Sequence, residues 1–219
     1  MVEKPKILII DDHPVVRFGL TLLLEKDTRF ELCGEAGDVH TAHEKTRTLQ
    51  PDIIILDLRL GGQDDLELLK DLHALDEKAL ILIFTAQEEN TYAQRCFQAG
   101  ASGYMMKDEG IEKVPDALIV MLEGDRYASA SIQRQIFQKM AGGTKPITAT
   151  AIDDLSDREL QVLRLVGAGI ATGKIARDLN LSVKTVSTYR ERLKNKLGSE
   201  TARDLEQRAA DFVRTGRIS

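Results

Sequence analysis

The chain has 219 residues, 42% of them hydrophobic, and a net charge of −5. That length exceeds the roughly 100–150 residues of a common single domain, so two domains are expected. No apolar stretch approaches the about 20 residues of a membrane helix, and the first apolar run ends in two aspartates rather than a small-residue cleavage site; a cytoplasmic protein with no membrane association is the reading.

Strand and helix patterns alternate five times in the first half. Ile7-Leu8-Ile9-Ile10 is a short apolar run closed by Asp11-Asp12, and Asp12-His13-Pro14 opens a helix through about Lys26 with Leu20, Leu23 and Leu24 inward. Phe30 to Glu35 reads as a second strand, and Val39 to Gln50 as a helix stopped by Pro51. Ile53-Ile54-Ile55-Leu56 ends at Asp57; a loop at Gly61-Gly62 and a helix marked by Leu66, Leu69 and Leu72 follow. Leu80 to Phe84 ends at Thr85, before a helix from Glu88 to Ala99 closed by Gly100. Tyr104-Met105-Met106 is a weaker run ending at Lys107, and the fifth helix spans about Ile111 to Glu123, ended by Gly124. Continuous apolar runs rich in β-branched residues suit strands buried on both faces of a parallel sheet. The alternation predicts an α/β domain with a five-stranded doubly wound parallel sheet over residues 1–125.

A linker is expected over 126–152, with a helix at 129–140 and a Gly/Thr/Ala-rich stretch from Gly142 to Ala151. Charge divides near the same place. Residues 1–125 hold 13 Lys and Arg against 25 Asp and Glu, a net −12, whereas 126–219 hold 17 against 10, a net +7. Such asymmetry suits an acidic module joined to one that meets a polyanion, or two solvated surfaces that merely differ.

From Ser156 the pattern is helical throughout. Ser156-Asp157-Arg158-Glu159 is a capping box, Leu160, Leu163 and Val166 form an apolar stripe, and Gly167-Ala168-Gly169 ends the helix. Thr172 to Leu179 is a second short helix, and Ser182 caps a third running through Leu197. A short helix, a tight turn and a longer basic helix make a helix-turn-helix, so an all-α four-helix domain is expected over 153–219. The fourth helix carries Ala202, Leu205, Ala209 and Phe212, a narrow seam suited either to pairing with a second chain or to the domain's own core.

The strand-end residues carry the chemistry. Ligands of open parallel sheets bind beyond the carboxyl ends of the strands, which gathers Asp11, Asp12, Asp57, Thr85 and Lys107 at one edge. Clustered carboxylates repel unless a cation neutralises them, and an oxygen-rich set suits Mg2+. A carboxylate facing a metal, a hydroxyl and a lysine is equipped for phosphoryl transfer: Asp57 attacks, Lys107 neutralises developing charge, and Thr85 hydrogen-bonds a phosphoryl oxygen, leaving an acyl phosphate. Cys33 and Cys96 lie far apart with no paired motif and read as small core residues.

With these motifs the chain resembles the bacterial response regulators of the NarL/FixJ family, a receiver domain followed by a LuxR-type DNA-binding domain. The receiver likeness rests on Asp11-Asp12, Asp57, Thr85 and Lys107 after successive strands. The second rests on Leu155 to Leu160, Lys174-Ile175-Ala176, Lys184-Thr185-Val186 and Lys196-Leu197-Gly198. The resemblance implies that Asp57 is phosphorylated by a sensor histidine kinase, and that Asp12, Asp57 and the Arg59 backbone carbonyl hold Mg2+, with Asp11 ligating directly or through water. It makes Tyr104 an aromatic that swings inward as Thr85 moves to the phosphoryl group. It also implies a homodimer on a double-stranded DNA operator of two half-sites. Val186, Leu193 and Leu197 should face inward. Lys174, Lys184, Thr185 and Tyr189 would meet phosphates, while Ser187, Thr188 and Glu191 point at base edges; Arg190, Arg192 and Lys194 complete the basic helix.

Several features depart from the family pattern. The loop Leu60 to Asp65 lacks the usual proline and adds acids, Lys107 precedes Asp108 rather than proline, and Ser187, Tyr189 and Glu191 replace commoner basic residues. A different target sequence is therefore expected. Two alternatives remain: a constitutive DNA-binding regulator whose receiver only dimerises, and a phosphoaspartate-forming hydrolase, for which Arg59 stands where a second aspartate is needed. The run Gly167 to Lys174 is one residue too long for a phosphate-binding loop and ends at Ile175 instead of a hydroxyl residue, and His40 with His43 lacks further ligands.

Overall fold

The computed structural model describes residues 3–61, 63–64, 66–130, 132–134, 151–152 and 154–215. The chain forms two compact units, Met1–Met140 and Ala141–Ser219. Among the described residues no helix is long and apolar enough to cross a membrane.

In the first unit β1 (Lys6–Ile10), β2 (Glu31–Ala36), β3 (Ile53–Leu56), β4 (Leu80–Thr85) and β5 (Gly103–Met106) alternate with α1 (Pro14–Lys26), α2 (Val39–Leu49), α3 (Leu66–Leu75), α4 (Glu89–Gln98) and α5 (Val114–Leu122). The strands form one parallel sheet in the order β2-β1-β3-β4-β5. Strand order reverses at β1, which opens a crevice past the ends of β1 and β3. Register fixes what enters it. Ile10 faces Leu56, Leu56 faces Ile83, and Thr85 faces Met106, so the next residues of β1 and β3 and the start of the turn after β5 reach the same edge. Ile7, Ile9, Ile53, Ile55, Leu82, Phe84 and Met105 share a core with Leu20, Leu24, Leu118 and Met121.

Three local expectations shift. The second strand begins at Glu31, with Phe30 buried ahead of it. The fifth helix begins at Val114; Ile111–Lys113 is a 3-10 turn. Pro115 causes this, because it has no N–H to give the Ile111 carbonyl, which accepts from Val114 instead. In the segment expected to be loop, Arg59–Leu60 pairs antiparallel with Gln63–Asp64, with Gly61 turning at φ 63°. Beyond α5, Tyr127 bridges to Gly103 and Ser129 donates from both its backbone N–H and hydroxyl to Glu89, at 3.1 and 2.6 Å. Ala130 and Ile132–Arg134 are helical; the rest of the expected helix to 140 and the linker to 150 lie outside the described residues.

The second unit is α6 (Asp157–Gly167), α7 (Thr172–Asp178), α8 (Val183–Leu197) and α9 (Ala202–Thr215). The capping box forms: Glu159 N–H donates to Ser156 Oγ at 3.3 Å, and Ser156 N–H to Glu159 Oε2 at 2.8 Å. Ser182 Oγ accepts from Thr185 N–H at 3.0 Å, and Gly198 ends α8 at φ 65°. Leu160, Leu163, Val166, Ile175, Val186, Leu193, Leu197, Leu205, Ala209 and Phe212 are buried.

Candidate functional site

The crevice assembles the five residues read from the strand ends. Asp57 is 3% exposed and Thr85 0% exposed, so every polar atom there needs a partner. Asp57 N–H donates to Ile10 O at 2.8 Å, prolonging the β1–β3 ladder by one residue and fixing the carboxylate beside Asp11. Thr85 Oγ1 donates to Asp57 Oδ1 at 2.8 Å, and Lys107 Nζ to Asp57 Oδ2 at 2.6 Å. The same ammonium lies 2.7 Å from Asp11 Oδ2. The loop after β3 closes over this group: Arg59 N–H donates to Asp57 Oδ1 at 3.2 Å and Gly61 N–H to Asp12 Oδ2 at 3.0 Å. The proline-free loop thus still supports the pocket.

Asp11 Oδ2 and Asp12 Oδ1 are buried and, ion-pair neighbours aside, make no hydrogen bond. Three carboxylates face one lysine ammonium, so a divalent cation would balance the remaining charge, and the donor set of carboxylates fits Mg2+. Side chains absent from the sequence reading also converge. His13 Nδ1 lies 2.7 Å from Asp12 Oδ1 and 3.1 Å from Asp11 Oδ1, and an Arg17 guanidinium nitrogen donates to Asp11 O at 2.6 Å. The signal for His13 was its place directly after the paired acids and before Pro14. For Arg17 there was none, since a helical arginine usually faces solvent.

Tyr104 is wholly buried, and its hydroxyl donates to Gln87 O at 2.8 Å. Gln87 N–H in turn approaches Thr85 Oγ1 at 3.4 Å, which links the tyrosine to the crevice through one residue. Cys33 donates to Ile7 O at 3.1 Å, and burial pushes its thiol above the ordinary range; Cys96 is buried in α4. Cys96 is thus a core residue as expected, whereas Cys33 is only half-buried on the edge strand β2. His43 reaches Asp71 at 3.6 Å, and among the described residues the one grouping with metal-ligand spacing is Asp11, Asp12, His13 and Asp57.

In the second unit Lys184, Thr185, Thr188, Tyr189 and Arg192 line a single depression along α8. The Arg192 guanidinium lies 5.8 Å from the Tyr189 ring centre. Ser187 and Glu191 are exposed beside it, Lys194 pairs with Glu191 at 3.2 Å, and Lys174 is exposed on α7. Arg190 does not join that face: its guanidinium pairs with Glu206 of α9 at 2.7 Å and is largely covered. Lys196 is structural too, holding Asp154 O at 3.0 Å and Glu159 Oε2 at 2.7 Å. Of the α9 seam, Leu205, Ala209 and Phe212 are buried within the unit and only Ala202 is exposed. The seam therefore fills the domain's own core, the second of the two readings its spacing allowed, and those three side chains are not available to a second chain.

Comparison with known proteins follows the same division. Residues 7–119 match the family described as response regulator receiver domain, and 153–209 match the bacterial regulatory proteins of the luxR family. The virulence factors putative positive transcription regulator BvgA of Bordetella pertussis is 34% identical over 200 residues, covering 91% of this chain and 94% of that protein. Response regulator GacA of Pseudomonas syringae is 32% identical, covering 88% and 89%. The structure of RcsB from Salmonella enterica serovar Typhimurium bound to promoter P1flhDC with the phosphomimetic BeF3− is similar at a TM-score of 0.72 and 26% identity, over 95% of this chain and 100% of that one. Their descriptions are those of a transcription regulator, a response regulator and a promoter-bound protein, and they do not favour the hydrolase alternative. The chain belongs to the two-component response regulators of the NarL/FixJ family, a receiver domain joined to a LuxR-type DNA-binding domain.

Proposed function

We propose that the chain is a cytoplasmic transcription factor switched by phosphorylation of Asp57, with a sensor histidine kinase as donor and operator DNA as output. The observation that carries this reading is the pair of contacts on Asp57, from Thr85 Oγ1 at 2.8 Å and Lys107 Nζ at 2.6 Å. In the transfer, an Asp57 carboxylate oxygen bonds phosphorus while the bond from phosphorus to the donor's imidazole nitrogen breaks, the nitrogen keeping the electron pair. Lys107 turns its ammonium to the arriving phosphoryl oxygens, and the Thr85 hydroxyl donates to one of them. Asp11, Asp12, Asp57 and the Arg59 carbonyl would hold Mg2+, which when bound supplies charge neutralisation for those oxygens.

Movement of Thr85 would pass through Gln87 to the Tyr104 hydroxyl and favour pairing of two chains on two half-sites. On DNA, α8 enters the major groove with Lys184, Thr185, Tyr189 and Arg192 against phosphates, assisted by Lys174 and Lys194. Ser187, Thr188 and Glu191 face base edges. A second reading is a constitutive regulator whose receiver only dimerises; the inward Tyr104 and the Thr85 hydroxyl held on Asp57 are compatible with it.

Operator affinity of wild type and Asp57→Asn, with and without Mg2+ and acetyl phosphate, separates the two. The proposed switch gives a covalent phosphoryl mass and a gain in affinity in wild type alone. A phosphorylated wild type with unchanged affinity supports the constitutive reading instead.

A further inference from the structure

We infer that the exposed face of α8 reads bases through hydrogen-bond acceptors alone, with Glu191 taking the exocyclic amino group of a cytosine. The inference deepens the reading of α8 as the groove-entering helix and rests on it. Ser187, Thr188 and Glu191 share one side of α8, at spacings of three and four residues, and all are exposed. The hydroxyl hydrogens are already used within the helix. Ser187 Oγ donates to Val183 O at 3.0 Å, and Thr188 Oγ1 to Lys184 O at 3.0 Å. A carbonyl can only accept, so each hydroxyl hydrogen is committed to the backbone and lone pairs are what remain for a ligand. Glu191 adds a carboxylate, which when ionised only accepts.

The cationic donors of the same helix are engaged elsewhere. Arg190 is turned to Glu206 and Lys196 to Glu159, each at 2.7 Å, while Lys184 and Arg192 line the depression with Tyr189. Lys194 Nζ sits 3.2 Å from Glu191 Oε2, but the carboxylate is the outer partner, its side chain 67% exposed against 21% for the lysine. That ammonium offsets the repulsion a carboxylate meets from DNA phosphates. With about four lone-pair sites, the carboxylate keeps capacity for a base beside it. The major-groove edges then decide the partner. Guanine shows acceptors at N7 and O6, and thymine an acceptor and a methyl group, so neither offers a carboxylate a donor. The adenine amino group stands beside the N7 acceptor of the same base. Cytosine alone carries a donor with no acceptor on its own edge. A glutamate that only tied down Lys194 would give no preference among bases.

The test selects sites for the full chain from random duplex DNA, with Mg2+ and acetyl phosphate present, and repeats the selection with Glu191→Gln, Glu191→Ala and Lys194→Ala. Affinities are then measured on the wild-type site and on the same site with the selected cytosine replaced by 2-pyrimidinone, which lacks only the amino group. The expected wild-type site has a cytosine at one position of each half-site, and loss of its amino group weakens binding about tenfold. Glu191→Ala should lose the preference and be indifferent to 2-pyrimidinone. Glu191→Gln should turn it to adenine, whose N6 and N7 match a carboxamide, and Lys194→Ala should keep cytosine. Cytosine retained by Glu191→Ala, or a different base at the position that Glu191→Ala relaxes, overturns the acceptor reading and leaves α8 as the DNA-binding helix. So does wild-type binding with no base preference, or a preference lost equally in Lys194→Ala. Failure of wild type to bind DNA, or binding that Lys184→Ala and Arg192→Ala leave unchanged, overturns the reading of α8 itself.

Discussion

Glu159 shows how one side chain ties a domain together. It is 4% exposed, closes the capping box with Ser156, and accepts from Lys196 of α8 at 2.7 Å. Burial works to raise its carboxyl pKa, but hydrogen bonds from Lys196 and Ser156 outweigh it and hold the group below the ordinary carboxylate range. A depressed folded-state pKa contributes stability above the unfolded value of roughly pH 4.3 and loses it as pH falls through the folded value. Glu159→Gln should therefore destabilise the second unit by about 1–2 kcal/mol at pH 7, with the difference from wild type shrinking below about pH 4. Thermal melts across that range check this, and a gap that is constant with pH would sink it. The sequence announced Ser156–Glu159 as a cap, yet nothing in it named Lys196. That lysine read as one more base on a basic helix, and a contact across 37 residues is decided by how α6 and α8 pack.

At the scale of elements, α6 and α9 approach closely because Gly167 has no side chain. A Cβ added there would collide with the Ala209 carbonyl and crowd Val213 Cγ2 at 2.8 Å. Backbone cannot step aside as a side-chain tip can, so Gly167→Ala should cost about 1–3 kcal/mol. The expectation is a melting transition of the second unit lowered by several degrees, with no loss of Asp57 phosphorylation in the first. An unchanged melt would mean that the helices separate freely. The same packing explains why the seam of Leu205, Ala209 and Phe212 was ambiguous in the sequence. Periodicity identifies an apolar stripe but not what covers it, and here α6 does.

Across the whole molecule, charge separates into a net −12 over residues 1–125 and +7 over 126–219. Only bases that face outward can release counterions from DNA. Lys184→Ala and Arg192→Ala should each reduce the salt slope of DNA affinity by about 1. Arg190→Ala should leave the slope near its wild-type value and lower stability instead, because its guanidinium serves Glu206. Equal slope losses for all three would show that Arg190 leaves α9 in the complex. The proline-free loop after Asp57 is a parallel case in the first unit. Its composition departs from the family pattern, yet the N–H groups of Arg59 and Gly61 reach Asp57 and Asp12.

The sequence by itself determined the architecture and the place of the chemistry. Strand-length apolar runs alternating with helical patterns dictate a parallel sheet, and a parallel sheet puts every strand-end residue on one edge, so Asp11, Asp12, Asp57, Thr85 and Lys107 were legible in the sequence alone. Those are local signals of period and termination. Tertiary structure decided what depends on direction and packing: that His13 folds back onto the acids, that Tyr104 is inward and bonded to Gln87, that Arg190 and Lys196 are turned to neighbouring helices, and that the α9 seam is internal. The physical reason is that a side chain's partner lies across the chain, where spacing along it carries no information.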